Sequence, residues 1–195
     1  NNAFNGTGGV TNLTFGAPTL TGTTDTVISE TLANTNLVTL DSVTGTATNF
    51  IVGGNGNTTV NGTVDLGSGS LIKFNAGIRT LGDSITTTGS INITQEGGGS
   101  VILTGAAVNV QNILVQGGSL TLGAIAMGPL DRISDTGTLT LAGGNLIASG
   151  VSGTVNLVET IGTLNLAAGA SRISAGTAST ATQTISFTNL GTVAD

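Results

Sequence analysis

Residues 137–141 read GTLTL and residues 162–166 read GTLNL. Each is a turn-forming glycine followed by a strand of period two. In the first, Leu139 and Leu141 fall on one face and Thr138 and Thr140 on the other. The same phrase, glycine then Ser or Thr, an aliphatic residue, any residue and another large apolar one, begins at Gly62 (GTVDL), Gly89 (GSINI), Gly99 (GSVIL), Gly118 (GSLTL) and Gly153 (GTVNL), and with one residue more at Gly69 (GSLIKF). A strand whose apolar residues occupy alternate positions has one face to bury, and the chain repeats that unit eight times.

The eight starts are separated by 7, 20, 10, 19, 19, 16 and 9 residues. Gaps near 19–20, interleaved with gaps near half of that, predict a stack of coils with two or three short strands per coil. In a β-solenoid each strand pairs with the coils above and below at about 4.8 Å. One coil cannot bury its inner face alone, so neighbours complete the core. The alternative is an antiparallel β-sandwich, which also suits many short strands. Scarce aromatics and the self-similarity of the repeats favour the solenoid. No segment reads as a long helix. The best candidate, Gly123 to Ser134, is limited to a turn or loop by Pro129 and its glycines. Residues 49–195 are expected to form the solenoid repeats. Residues 1–48 lack the glycine–Ser/Thr phrase but alternate in VTNLTF and NLVTL. They are expected to be strands too, as degenerate coils, a cap or a subunit-contact segment.

Composition narrows the function. The 195 residues include 32 Gly, 36 Thr and 18 Asn, but only five Phe, one Met and no Tyr or Trp. Thr, Val and Ile suit pleated strands, while Gly and Asn supply positive-φ turns. Small branched residues fit a narrow interior. Only 7% of residues are charged, against roughly 25% in an ordinary globular protein. Mean hydropathy is nonetheless positive, which excludes a disordered chain. The four cations, Lys73, Arg79, Arg132 and Arg172, are scattered in a chain of net charge −6, so no phosphate-tracking stripe exists and nucleic-acid binding is not expected. No apolar run reaches the roughly 20 residues of a membrane helix.

The inventory of reactive groups is short. There is no His and no Cys, which removes imidazole acid–base work, thiolate nucleophiles, disulfides and the usual zinc ligands. The glycine-rich stretches GGNGN (from Gly53) and EGGGS (from Glu96) lack the lysine of a phosphate loop, and each reads as a solvent-facing turn. No calcium loop is present, since GGNGNTTVNG carries Asn where such a repeat needs Asp. Asp131 and Asp135, flanking Arg132, are the nearest approach to a paired-carboxylate site. Their plainer reading is a loop in which carboxylates accept backbone N–H groups and Arg132 ties down a turn. No catalytic residue, cofactor site or metal site is assigned, and no enzymatic activity is expected. Asn55, Asn57, Asn61, Asn75 and Asn145 follow turns. Most are read as tolerating the left-handed conformation, with some hydrogen bonding along the stack where coils align.

Residues 129–175, PLDRISDTGTLTLAGGNLIASGVSGTVNLVETIGTLNLAAGASRISA, resemble the autotransporter-associated β-strand repeats of large bacterial surface proteins. The resemblance rests on Arg132-Ile133-Ser134-Asp135 leading into GTLTLAGG, and on Glu159-Thr160-Ile161-Gly162 leading into the second strand. VDLGSGSLIKF and GGSLTLGAI are weaker copies. It implies a right-handed parallel β-helix or related stalk, secreted and displayed at the cell surface. No segments of outer-membrane-barrel type occur, and a start at Asn1 suggests a processed chain or a fragment. Both terminal runs are strand-like and carry no amphipathic cap, which favours head-to-tail self-association into a fibre, sheath or surface layer. An adhesin stalk contacting glycans or the cell surface is the alternative.

Overall fold

The computed structural model describes residues 2–5, 12–30, 37–82, 85–94, 99–104, 108–123, 132–149, 156–175 and 182–194. All regular structure among them is β, and every strand pairing is parallel. A parallel pair cannot be closed by a tight hairpin, so the antiparallel sandwich is excluded and the chain is a β-solenoid. The candidate helical stretch falls mostly outside the described residues.

Two ladders run the length of the stack. A 12-stranded sheet has as its main path Asn2–Asn5, Thr24–Glu30, Asn49–Gly53, Leu71–Lys73, Ile85–Thr94, Val108–Gln116, Thr138–Leu141, Leu157–Leu166 and Gln183–Val193. An 8-stranded sheet runs from Asn12–Phe15 through Leu37–Leu40, Asn57–Val60, Ile78–Leu81, Ser100–Leu103, Ser119–Gly123 and Asn145–Ser149 to Arg172–Ala175. A third, shorter face of Thr19–Leu20, Val43–Gly45 and Val64–Gly67 joins the first sheet at Ile85–Thr94. There the strand bends between two faces, and its pairing with the next rung shifts register between Thr87 and Ser90. The strands preceding residue 49 continue the same ladders: Leu13 pairs with Val38 and Thr24 with Asn49.

The recurrent glycine phrase therefore opens strands on all three faces. Gly62 and Gly69, seven residues apart, start strands on different faces of one coil, which accounts for the short gaps. Coil length itself is not constant. Ser100 pairs with Ser119, 19 residues on, whereas Asn145 pairs with Arg172, 27 residues on. Extra residues are absorbed between strands while the strands keep their register.

Alternation fixes which side chains point inward. Leu139 and Leu141 are fully buried, and Thr138 and Thr140 are only partly so. Inward residues then stack in columns along the axis. One column reads Leu40, Val60, Leu81, Leu103, Leu122 and Ala148, each the register partner of the next and each buried. Asn side chains fasten the corners. Oδ1 of Asn49, Asn57, Asn156 and Asn165 accepts from the backbone N–H of Ser70 (3.1 Å), Ile78 (3.0 Å), Thr182 (2.9 Å) and Thr192 (2.9 Å) on the next coil. Of the five asparagines singled out above, Asn57 bridges coils in this way, Asn145 does so by donating its Nδ2–H to Gly118 O (3.3 Å) on the preceding coil, Asn75 has φ 68°, and Asn55 and Asn61 are exposed.

Because the columns are close-packed, Leu139→Ala leaves a cavity between two rungs and is expected to cost about 2–5 kcal/mol. The outward Thr140→Ala is expected to stay within about 0.5 kcal/mol. Urea denaturation midpoints of the two variants check the assignment of faces.

Candidate functional site

Among the described residues four charged side chains lie inside the solenoid: Lys73, Arg79, Arg132 and Glu159, none more than 2% exposed. They form two polar knots in an otherwise aliphatic interior.

The first knot occupies the corner between the two sheets. Lys73 alternates with Leu71 on the inward face and stands in register between Val52 and Ile93. Arg79 sits in the column Val38, Thr58, Arg79, Val101. A bare guanidinium could not remain there, since an uncompensated buried charge costs several kcal/mol. Backbone carbonyls compensate it. Nη2 donates to Gly53 O (2.5 Å) and Gly54 O (3.2 Å), and Nη1 donates to Gly56 O and to Ile78 O (3.0 Å). Three of these acceptors belong to the GGNGN stretch, which is not the solvent-facing turn expected from sequence. Gly53, Gly54 and Gly56 are buried, and only Asn55 projects outward. Gly54 at φ 89° turns the backbone into a conformation that L side chains rarely adopt. The ring of Phe74 lies on Gly53, where a Cβ would collide with it.

The Lys73 ammonium donates to Asn75 O, the carbonyl of the positive-φ residue. A side chain at Gly99 on the next coil would land on Nζ, so the glycine leaves room for the cation. Burial, and secondarily the Arg79 charge beside it, lower the Lys73 pKa from 10.5 to about 8.

The second knot links residues 132–133 to the following coil. The Glu159 carboxylate accepts from Ile133 N–H (2.7 Å) and Arg132 N–H (3.1 Å) through Oε1, and again from Arg132 N–H (3.2 Å) through Oε2. Residues 132–133 belong to no strand, so their N–H groups have no ladder to enter. The carboxylate supplies the acceptors that a strand would have supplied. Arg132 lies alongside. Burial lowers its pKa below the usual arginine range, and the Glu159 charge opposes that shift. The turn closes with Gly137 N–H on Ser134 O (2.8 Å) and with Gln111 of the preceding coil bridging Ser134 (3.3 Å) and Thr136 (3.4 Å).

Of the paired carboxylates considered from sequence, one is described in this turn. Asp135 is exposed at its tip, Arg132 is turned inward, and Asp131 lies outside the described residues. Among the described residues no group of three or more acidic side chains converges as metal ligands would. No helix among them is long and apolar enough to cross a membrane. Of the phenylalanines whose side chains are described, Phe50 is buried, Phe15 and Phe187 lie half-buried against the core, and Phe74 is half-buried on Gly53. No family model matches the chain, and neither a curated protein nor a solved structure matches it.

Two outcomes follow from the first knot. The folded pKa of Lys73 lies below its unfolded value, so between about pH 8 and pH 10.5 the unfolded chain binds more protons. Stability therefore rises with pH across that window. Lys73 is the one lysine of the chain, which has no His, Cys or Tyr. Urea midpoints should climb from pH 8 to pH 10 in the native chain and stay flat in Lys73→Met. Arg79→Met keeps the apolar stem but removes the guanidinium from the carbonyls of 53, 54 and 56, of which Gly54 O keeps Gly77 N–H (3.2 Å). Each buried unsatisfied group costs about 1–3 kcal/mol, so a loss of about 2 kcal/mol or more is expected in the same assay.

Proposed function

We propose that this chain is an extracellular structural protein: a self-associating subunit or segment of a bacterial surface fibre, sheath or surface layer. The observation that carries the proposal is the last described rung. Leu190 stacks in register on Leu164, Val193 on Leu166 and Ile173 on Leu146, so all three continue inner columns. They are 67%, 53% and 41% exposed. An apolar column that stops in water is incomplete, and its backbone N–H and C=O groups form a template for one more parallel strand. A further rung, from a second copy or from more of the same polypeptide, buries these aliphatic side chains at about 1.5–3 kcal/mol each when fully covered. A heterologous contact of that kind does not close and builds a filament.

Low charge supports the same reading, because few like-charge encounters oppose end-to-end approach. The location outside the cell rests on the likeness of residues 129–175 to the repeats of bacterial surface proteins. The glycan-binding alternative is less favoured, since Phe15, Phe50 and Phe187 pack on the core and the ring of Phe74 lies on Gly53.

Light scattering and size exclusion over a rising concentration series, with electron microscopy of the product, test the proposal. The native chain is expected to give elongated species that grow with concentration. The double variant Leu190→Lys, Val193→Lys is expected to remain monomeric with an unchanged β spectrum. A native chain that stays monomeric at high concentration overturns self-association.

A further inference from the structure

Taking the self-association proposed above as given, we infer that Asn2–Asn5 is an exchangeable strand. On the edge of Thr24–Glu30 it holds the place that the end of Gln183–Val193 from a second copy takes when copies stack. The need for exchange lies in the order of the faces. Each coil visits the first sheet, then the second, then the third face. The described strands begin on the first sheet with Asn2–Asn5, followed by Asn12–Phe15 on the second and Thr19–Leu20 on the third. They also end on the first sheet. Arg172–Ala175 is the last strand of the second sheet. Residues 183–187 then run beside 157–161, which follow the second sheet and precede the first as the third face does, and residues 189–193 lie on 163–166 of the first sheet.

A coil that ends on the first sheet is continued by a strand on the second. The next copy instead offers a first-sheet strand, and two stackings are open to it. If Asn2–Asn5 stays, it lies on residues 189–193 of its neighbour. Arg172–Ala175 and the Asn12–Phe15 of the next copy are then two rungs apart, about 9.6 Å, with an empty rung between them. The third face is left open by the same amount. If Asn2–Asn5 leaves, residues 189–193 pair with Thr24–Glu30 in its stead, and the other two faces close at about 4.8 Å. Exchange surrenders the pairing of residues 2–5 with 27–30. It gains pairing on all three faces, by the strand addition through which extended segments join an open sheet edge.

The columns favour the second stacking. Ile173 belongs to the column that starts with Leu13 and Val38, so Leu13 of the next copy continues it. Val193 belongs to the column that starts with Asn2, Val27 and Val52. With exchange Val193 comes opposite Val27 of the next copy, and without it opposite Asn2. Leu190 comes opposite Asp25 of the next copy, which lessens the gain at that place.

The absence of cysteine from the chain lets engineered disulfides read the stacking. Neighbouring register partners lie within the Cα separation that a disulfide spans, and residues two rungs apart do not. Thr14 and Ser174 stand at opposite ends of one column of the 8-stranded sheet, so within a single chain they cannot meet. Thr14→Cys with Ser174→Cys therefore bonds only between chains, and only in the exchanged stacking. Asn2→Cys with Val193→Cys reports stacking without exchange. Ala3→Cys with Ile28→Cys joins register partners within one chain and locks the first strand in place.

On oxidation at high concentration the Thr14→Cys, Ser174→Cys chain is expected to give a ladder of covalent oligomers on a non-reducing gel. The Asn2→Cys, Val193→Cys chain is expected to give none. The oxidised Ala3→Cys, Ile28→Cys chain is expected to lose the concentration-dependent growth in light scattering and to regain it on reduction. A ladder from the second pair without one from the first overturns exchange and leaves self-association standing. So does an oxidised lock that assembles as its reduced form does. If neither pair gives a ladder and the reduced lock stays monomeric, exchange and self-association both fall.

Discussion

Axial hydrogen bonding between parallel rungs is the constraint from which the rest of this molecule follows. It places every residue about 4.8 Å from a register partner above and another below. Inward side chains are thereby sorted into columns, and each must tolerate its own column rather than a general hydrophobic environment. Leu40, Val60, Leu81, Leu103, Leu122 and Ala148 satisfy this with aliphatic volume alone. Arg79 meets a harder condition. Its column neighbours Thr58 and Val101 cannot neutralise a guanidinium, so the acceptors must come from the corner. That requirement explains why the glycines at 53, 54 and 56 belong to a buried, carbonyl-inward bend. A side chain at Gly53 would collide with the Phe74 ring, and Gly54 holds a backbone conformation that L side chains rarely adopt.

The buried charges are not efficient sources of stability. Replacing such groups by well-packed apolar residues is often neutral or favourable, and Lys73 sits where its charged form is penalised. Their value lies in what they forbid. A repetitive chain has many near-equivalent ways to stack one coil on the next, and a funnelled landscape needs a gap between the native stack and those competitors. Aliphatic columns supply cohesion, and contacts such as that of Gly162 with the backbone of residues 135–137 supply part of that gap. Two knots, one through Arg79 and one through Glu159, interrupt the columns at positions where only one offset satisfies the donors and acceptors.

Period two made most of this architecture legible in the sequence. Reading GTLTL and GTLNL as inward leucines and outward polar residues places Leu139, Leu141 and Leu164 correctly. The same rule, applied strictly, puts Lys73 beside Leu71 on the inside, Glu159 between Leu157 and Ile161, and Arg79 two positions before Leu81. Ordinary polarity argues the reverse at each, and it misleads most at residues 78 and 79. Ile78 is 41% exposed while Arg79 is 2% exposed. There the alternation outweighs hydropathy, because reversing it would turn Leu81 outward as well. What the sequence did not contain was the direction of the GGNGN carbonyls. Composition marks a turn, but whether its oxygens face water or a cation depends on a side chain more than twenty residues away. The coil lengths were hidden for a related reason. Residues added between strands alter the spacing of the glycine phrase without altering the ladders, so gaps of 19 and of 27 build the same kind of rung.

The same separation of ladder from loop bears on how such a protein can extend. A rung is specified by its inward residues and by the corner bonds of residues such as Asn165, whose Oδ1 holds Thr192 N–H on the last coil. Neither depends on the length or composition of the connecting segments. Coils can therefore vary in circumference while the axial template stays constant, and the last rung presents that template with Leu190, Val193 and Ile173 in column. Cohesion along the axis is thus generic, while offset is specific and draws on individual polar groups and close glycine contacts. A structure divided in this way tolerates change on its surface and in its connecting segments, and is intolerant where a charge enters a column.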